Sequence, residues 1–381
     1  MNPAMRFDTD PDVTTGRLPS DPVDTVSMDG GATSPIDCHA DPVGAARHLA
    51  AAFKAGRRLV VVAPDHPDHA HHVAVEFLHP AVTGSVALPA VVAPSALATR
   101  AADRRTDDVV LAIGIGADWT DGPSTVELII SPLADAEIMV SYHLLWELVQ
   151  LELDTVHPAD HGHPDDAAQT DGDATEFLYP FLDGAVSEAT TEMVFSARVK
   201  AAESAEVART ALAVNGELVE MVADLLADST AAGGRVLTMG NGGSACDAAR
   251  AVRLLTARGL PAQSLAADYA VVTALGNDLG SERIFTRQLE ALGRRGDLLI
   301  GFSTSGTSTN LLAAFDQAKR DGLSTVGFAG YDGVGFVSHP SVDQTLAVDS
   351  QSVHRIQEAQ AVLLDAIITR LDQTRAAEEQ R

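Results

Sequence analysis

Cysteine is scarce in this chain: Cys38 and Cys246 are the only two in 381 residues. Two thiols cannot build a disulfide framework, which argues against a disulfide-stapled secreted scaffold and for a reducing compartment. Lysine is scarcer than its charge class would need, with Lys54, Lys200 and Lys319 the whole supply. Lys plus Arg total 26 against 53 Asp plus Glu, so 26 − 53 leaves a formal charge of −27. A nucleic-acid binder needs a basic footprint to displace counterions, and an anionic membrane would repel this chain. No apolar run approaches the ~18 residues of a membrane span. The first residues are acidic and proline-rich, without the basic start and apolar stretch of a signal peptide. The expectation is a soluble cytoplasmic protein that binds neither nucleic acid nor membrane. Any anionic ligand would have to be held by a local device.

Apolar residues make up 46% of the chain, enough for a real core, and the length predicts two domains or one large one. Residues 1–37 carry Asp, Pro, Thr and Gly without periodicity and read as a disordered acidic tail. Helices are predicted over 41–55, 69–78 and 134–153, and buried strands over 58–63, 90–93, 109–114 and 126–131. Residues 154–187 form a polar Asp/His/Pro-rich linker. The pattern resumes at 188, with helices over 204–230, 247–258 and 353–371 and strands over 236–239, 262–266, 298–302, 325–329 and 345–348. A tail is expected over 375–381. Strands alternating with helices imply parallel sheets flanked by helices.

The halves resemble each other. Gly234-Arg235-Val236-Leu237 aligns over Gly56-Arg57-Arg58-Leu59 without a gap through Leu255 and Phe77, and Asp297-Leu298-Leu299 matches Asp108-Val109-Val110. The first half is shorter beyond that point, by one helix–strand unit.

Two loops carry chemistry. GNGGSACD, from Gly240 to Asp247, follows a buried strand and leads into a helix. Glycines let a ligand approach the backbone, and a helix start offers unpaired N–H groups. FSTSGTSTN, from Phe302 to Asn310, places five hydroxyls in the six residues 303–308 at a second such junction. Hydroxyls and amides can surround a phosphate without Lys or Arg, at the strand ends where such sheets bind ligands.

GNGGSACDA, then TALGND (Thr273 to Asp278), FSTSGTSTN and RIQEAQ (Arg355 to Gln360) resemble the sugar isomerase (SIS) domain in order and spacing. Over residues 195–372 they look most like its sedoheptulose-7-phosphate isomerase, or phosphoheptose isomerase, branch. The resemblance implies a flavodoxin-like parallel sheet flanked by helices. It implies a phosphosugar on Gly242, Gly243, Ser244, Ser303, Thr304, Ser305 and Ser308, with Asn241, Asp268 and Gln357 near the sugar.

The family's helix after the glycine loop carries His and Glu four residues apart, and its closing helix adds Gln and, eight residues on, His. These four can hold zinc, and the Glu and second His are its acid–base candidates. In the second half, Arg250, Leu254 and Asp365 stand at three of those places, and Gln357 alone is retained. The internal alignment sets Arg250 over His72 and Leu254 over Glu76, so the first half carries the missing His-x-x-x-Glu on one helix face. The first half in turn lacks the cradle: Ala63-Pro64-Asp65-His66 replaces the glycine loop, and Gly114 to Asp118 replaces the serine loop. His143 is the candidate second acid–base residue, its register offset from the family pattern.

The expected architecture is two flavodoxin-like SIS domains, a shortened degenerate one over 38–153 and a phosphosugar-binding one over 188–374. The expected activity is conversion of D-sedoheptulose 7-phosphate to D-glycero-D-manno-heptose 7-phosphate through an enediol. Glu76 and His143 would be catalytic, and His72, Glu76, His143 and Gln357 would hold zinc. The resemblance also implies a homo-oligomer, a dimer forming a pseudo-tetramer of SIS domains. A non-catalytic phosphosugar sensor or protein-binding scaffold stays open, since SIS domains without catalytic residues serve in both ways.

Overall fold

Two parallel sheets with matching strand orders organise the chain. The computed structural model describes residues 35–79, 87–93, 108–114, 126–131, 133–154 and 189–379. Apart from Asp154, the expected linker lies outside the described residues, as does the expected tail as far as residue 34.

In the first half, helix α1 (Pro42–Lys54) starts where the Asp41 side chain accepts the Gly44 N–H, and Ala45, Ala46, Leu49 and Phe53 turn its apolar stripe inward. Strand β2 (Leu59–Val62) is buried at every position, as a continuous apolar run must be inside a sheet covered on both faces. Helix α2 (Pro67–Leu78) follows, then β3 (Ala90–Val92), β4 (Val109–Ile113), β5 (Leu128–Ile130) and helix α3 (Asp135–Asp154). With β1 (Ile36–Asp37) they give the order β1-β5-β4-β2-β3, all parallel.

The second half opens with α4 (Ala189–Ala231). Next come β6 (Val236–Gly240), α5 (Gly243–Thr256), β7 (Ala262–Ser264), α6 (Tyr269–Leu279), α7 (Ile284–Leu292) and β8 (Leu298–Phe302). Helix α8 (Thr309–Asp321), β9 (Ser324–Ala329), the short α9 (Val334–Val337), β10 (Gln344–Ala347) and α10 (Val353–Glu379) complete it. The order β10-β9-β8-β6-β7 is again all parallel. Read from β7, it is the flavodoxin order 2-1-3-4-5, whose switch point lies between β6 and β8.

Several sequence-based bounds change, the largest being that α4 starts at Ala189 and not at 204. Ile36 and Asp37, placed in the tail, pair with β5 and fill the sheet edge that β10 fills in the second half. The first sheet thus reaches five strands by borrowing its edge from the preceding chain, which compensates for the shorter first half. Helix α10 runs to Glu379, through most of the expected tail. Helix α5 starts at Gly243 instead of 247, so the end of the glycine loop is itself the first helical turn.

The cores are knitted by two long helices. At about 1.5 Å per residue, the 43 residues of α4 span roughly 65 Å. Its Met193 and Ala197 lie in the first half's core, and its Ala211, Val219, Val222 and Leu226 lie in the second. Helix α10 does the same, with Ala361 in the first core and Ile356, Leu363 and Ile367 in the second.

Candidate active site

The two predicted loops meet at the β6/β8 switch point. Asn241 and Asn310 exchange amide hydrogen bonds at 3.0 and 2.9 Å, tying the glycine loop to the start of α8. Ser303 Oγ lies 3.4 Å from both Ser305 Oγ and Ser308 Oγ and accepts the Gly306 N–H at 3.0 Å. Ser308 is the residue at the N-terminus of α8, so three hydroxyls gather at one helix start. Thr304 is half-buried beside them, and Ser244 is buried in the first turn of α5. Gly242 takes φ +53°, which a side chain would disfavour.

Gly243 joins this cradle to the first half of the chain. A Cβ at Gly243 would stand 2.7 Å from His72 Nε2 and 2.7 Å from Gln357 Nε2. Gln357 Nε2 is 3.2 Å from His72 Nε2 and 3.3 Å from Asp247 Oδ2. One turn along α10, Gln360 donates to the Ser303 carbonyl at 3.2 Å. The same helix therefore touches the serine loop and the first-half histidine.

Around His72 the structure gathers residues distant in sequence. His72, Glu76 and His143 each offer one ligating atom, all within 4.8 Å of one another, and all three are buried. Tyr142 Oη lies 2.8 Å from His72 Nδ1 and 3.4 Å from His69 Nδ1, while His69 Nε2 lies 3.3 Å from Asp135 Oδ1. His69 can donate to Asp135 and Tyr142 to His69, while His72 Nδ1 meets the Tyr142 hydroxyl and its Nε2 faces Glu76 Oε1 at 3.4 Å. His143 donates from Nδ1 to Glu358 at 3.0 Å, leaving Nε2 buried and without a hydrogen-bond partner. Gln357 Oε1 is likewise buried and unpartnered. Two imidazole nitrogens and a carboxylate form a donor set that fits a divalent cation such as zinc, and turning the Gln357 amide over would bring its orphaned oxygen to the side of His72.

The electrostatics favour a carboxylate here. Burial would push the Glu76 carboxyl up, but hydrogen bonds from His354 and His72 overcome this and hold it well below its usual range. Burial and the neighbouring charge of His354 push His143 down to about 4, so its imidazole is neutral at pH 7. Burial also disfavours charge on His354, yet its hydrogen bonds to Glu147 and Glu76 raise it to about 9.

A second set of contacts mirrors the first. Residues 72 and 250 are 178 apart, as are 69 and 247; residues 135 and 357 are 222 apart, as are 143 and 365. Gln357 faces His72 and Asp247, and Asp135 correspondingly faces Arg250 at 3.4 Å and His69 at 3.3 Å. Arg250 is also paired with Asp365. His143 thus follows Asp135 on α3 as Asp365 follows Gln357 on α10, and the expected register offset is absent. His66 and His69 also gather at Asp135. The other oxygen of Asp135 faces Arg250 and Arg253, so guanidinium groups already supply the positive charge there.

Of the residues expected at the site, His72, Glu76, His143, Gln357 and Gly243 come together, with Ser244, Ser303, Thr304, Ser305 and Ser308 in the adjoining loops. Asn241 is engaged with Asn310, and the exposed Asp268 caps α6 by accepting the Val271 N–H at 3.1 Å. Sequence reading missed the buried network beneath the cluster. Arg355 grips both Glu147 oxygens at 2.8 and 2.9 Å and reaches Glu358 at 2.7 Å, and Lys200 is 3.4 Å from Glu147. His354, which sequence places near the sugar or at a helix start, lies between Glu147 and Glu76.

Comparison with known proteins places these elements. Residues 201–330 match the family model described as SIS domain. A phosphoheptose isomerase of Roseiflexus sp. (strain RS-1) is 38% identical over 177 residues, 45% of this chain and 89% of that protein. A phosphoheptose isomerase of Burkholderia pseudomallei (strain 1710b) is 46% identical over 151 residues, 38% of this chain and 76% of that protein. The solved C-terminal domain of glucosamine-fructose-6-phosphate aminotransferase from Francisella tularensis aligns with 91% of this chain and 97% of its own. Its TM-score is 0.54 at 10% identity, a likeness of fold alone.

Proposed function

This chain belongs to the SIS-domain family, among the relatives of phosphoheptose isomerases, and on that premise we propose that it is a phosphosugar aldose–ketose isomerase. Its substrate in this reading is D-sedoheptulose 7-phosphate, and its product is D-glycero-D-manno-heptose 7-phosphate. The observation that carries the proposal is the contact of Gly243 with His72 and Gln357, which supports one site because His72 lies beside the acid–base candidates Glu76 and His143. A base can act only within hydrogen-bond reach of the proton it moves.

In this mechanism Ser303, Ser305, Ser308 and the α5 and α8 N-termini hold the phosphate through hydroxyls and amides. Glu76, kept as a carboxylate, takes the proton from the carbon beside the carbonyl and returns it to its neighbour through an enediol. His143, neutral with Nε2 unbonded, passes the oxygen-bound proton. His72, Glu76 and Gln357 would hold zinc, which when bound supplies Lewis-acid polarisation of the sugar carbonyl, and a fourth bond from His143 Nε2 would replace that residue's proton-passing role. The Arg250 and Leu254 positions supply neither imidazole nor carboxylate, so one working site per chain is proposed. The exposed apolar residues Tyr269, Leu279, Val334 and Val337 support the self-association included in this reading.

The test is incubation of the full chain with sedoheptulose 7-phosphate, following the aldose phosphate by NMR with and without a chelator. Conversion that the chelator suppresses is expected. Tight binding without conversion would make the protein a phosphosugar sensor instead.

A further inference from the structure

His354 is fully buried and has no freedom to turn. Its Nδ1 is 2.7 Å from Glu147 Oε1, and its Nε2 is 3.3 Å from Glu76 Oε2. One ring face stacks on His143, with centroids 4.2 Å apart and planes 12° from parallel, and Trp146 meets it edge-on at 5.2 Å. Glu147 is itself anchored by Arg355 and Lys200. Trp146 Nε1 donates to the Glu76 carbonyl at 2.8 Å, fixing that backbone from the same side.

We propose that His354 is the positioning residue for Glu76, holding Oε2 so that Oε1 faces His72 and the cradle. A carboxylate has a broad terminal torsion, and one bonded oxygen is what selects an orientation for the other. Glu76 Oε1 lies 3.4 Å from His72 Nε2, on the side away from His354. The rigid series Arg355, Glu147, His354, Glu76 runs from α10 through α3 and back to α10 before reaching α2, so both halves of the chain set this one torsion. Carboxylate–histidine pairs of this kind orient the groups that do chemistry, and removing them costs about 10–100-fold in activity or metal affinity. This inference rests on the reading of Glu76 as the group that moves the proton or binds the cation.

Two amide substitutions separate positioning from mere filling of space. The Gln amide overlays the imidazole Nε2 and reaches Glu76, whereas the shorter Asn amide overlays Nδ1 and reaches only Glu147. In the full chain, His354→Asn should lower kcat about 10–100-fold with KM nearly unchanged, and His354→Gln should stay within about threefold of the wild type. Zinc affinity, titrated calorimetrically on metal-free protein, should follow the same order. A zinc series in that order with no turnover by the wild type would defeat the isomerase reading and leave the positioning role standing. Equal losses in both variants, no change in either, or failure of both to fold would overturn the role, because His354 would then be structural or idle.

Discussion

His72 and Gly243 touch across the two halves of the chain: a single added methyl on Gly243 would stand 2.7 Å from His72 Nε2. The contact joins a loop that can hold phosphate to a helix that carries His-x-x-x-Glu. Neither half contains both. Gly243→Ala should therefore displace His72 and Gln357 while α5 keeps its fold, since Ala favours helix over Gly. Misplacement on the scale of 1 Å costs about 10²-fold in rate. Steady-state kinetics and a thermal melt check this; unaltered kcat would mean the contact is irrelevant.

Ser305→Ala removes a hydroxyl that lies 3.4 Å from Ser303 Oγ and accepts from Thr307 N–H at 3.3 Å. A phosphate contact is present in ground and transition states alike, so KM should rise and kcat should hold. A fall in kcat at constant KM would remove Ser305 from the phosphate site.

Arg250 has the opposite part. It is buried between Asp135 and Asp365, and Arg250→Ala would leave Asp365 without its guanidinium partner and Asp135 with Arg253 alone. Breaking a buried pair in this way costs about 3–5 kcal/mol, so the melting temperature should fall by several degrees. Turnover per folded molecule should persist. Metal analysis should give one divalent ion per chain in the wild type; two would contradict the assignment of Arg250 as the resident cation of the mirrored site.

Acid should expose the Glu147 network. Burial raises this carboxyl, but the His354 hydrogen bond and the charges of Arg355, His354 and Lys200 lower it from the ordinary 4.5 to about 2. A depressed carboxyl contributes stability that is complete above its unfolded value and is lost as pH falls through its folded value. The melting-temperature gap between wild type and Glu147→Gln should accordingly narrow between pH 4.5 and 2. A gap that stays constant across that window would contradict the assignment.

The strands were legible because parallel strands buried on both faces leave continuous apolar runs, as Val60-Val61-Val62 and Leu298-Leu299-Ile300 do. Strand β1 escaped because two residues carry no periodicity. The loops were legible from glycine and serine at strand-to-helix junctions. The ionic network was not: Glu147 meets His354 across 207 residues, and His143 meets Glu358 across 215. No local pattern encodes such pairs, and only the likeness of the His143 helix to the family's closing helix hinted that α3 and α10 would face one site. Asn241 was placed near the sugar on resemblance, and spacing could not reveal that it also pairs with Asn310.

Glu76→Gln in the full chain, assayed with sedoheptulose 7-phosphate, tests the composite site most directly. The amide keeps the shape of the side chain but cannot accept the proton. Turnover should drop about 10²–10⁴-fold while the phosphosugar still binds. Wild-type turnover in Glu76→Gln would contradict the account, because the second half would then catalyse without the first.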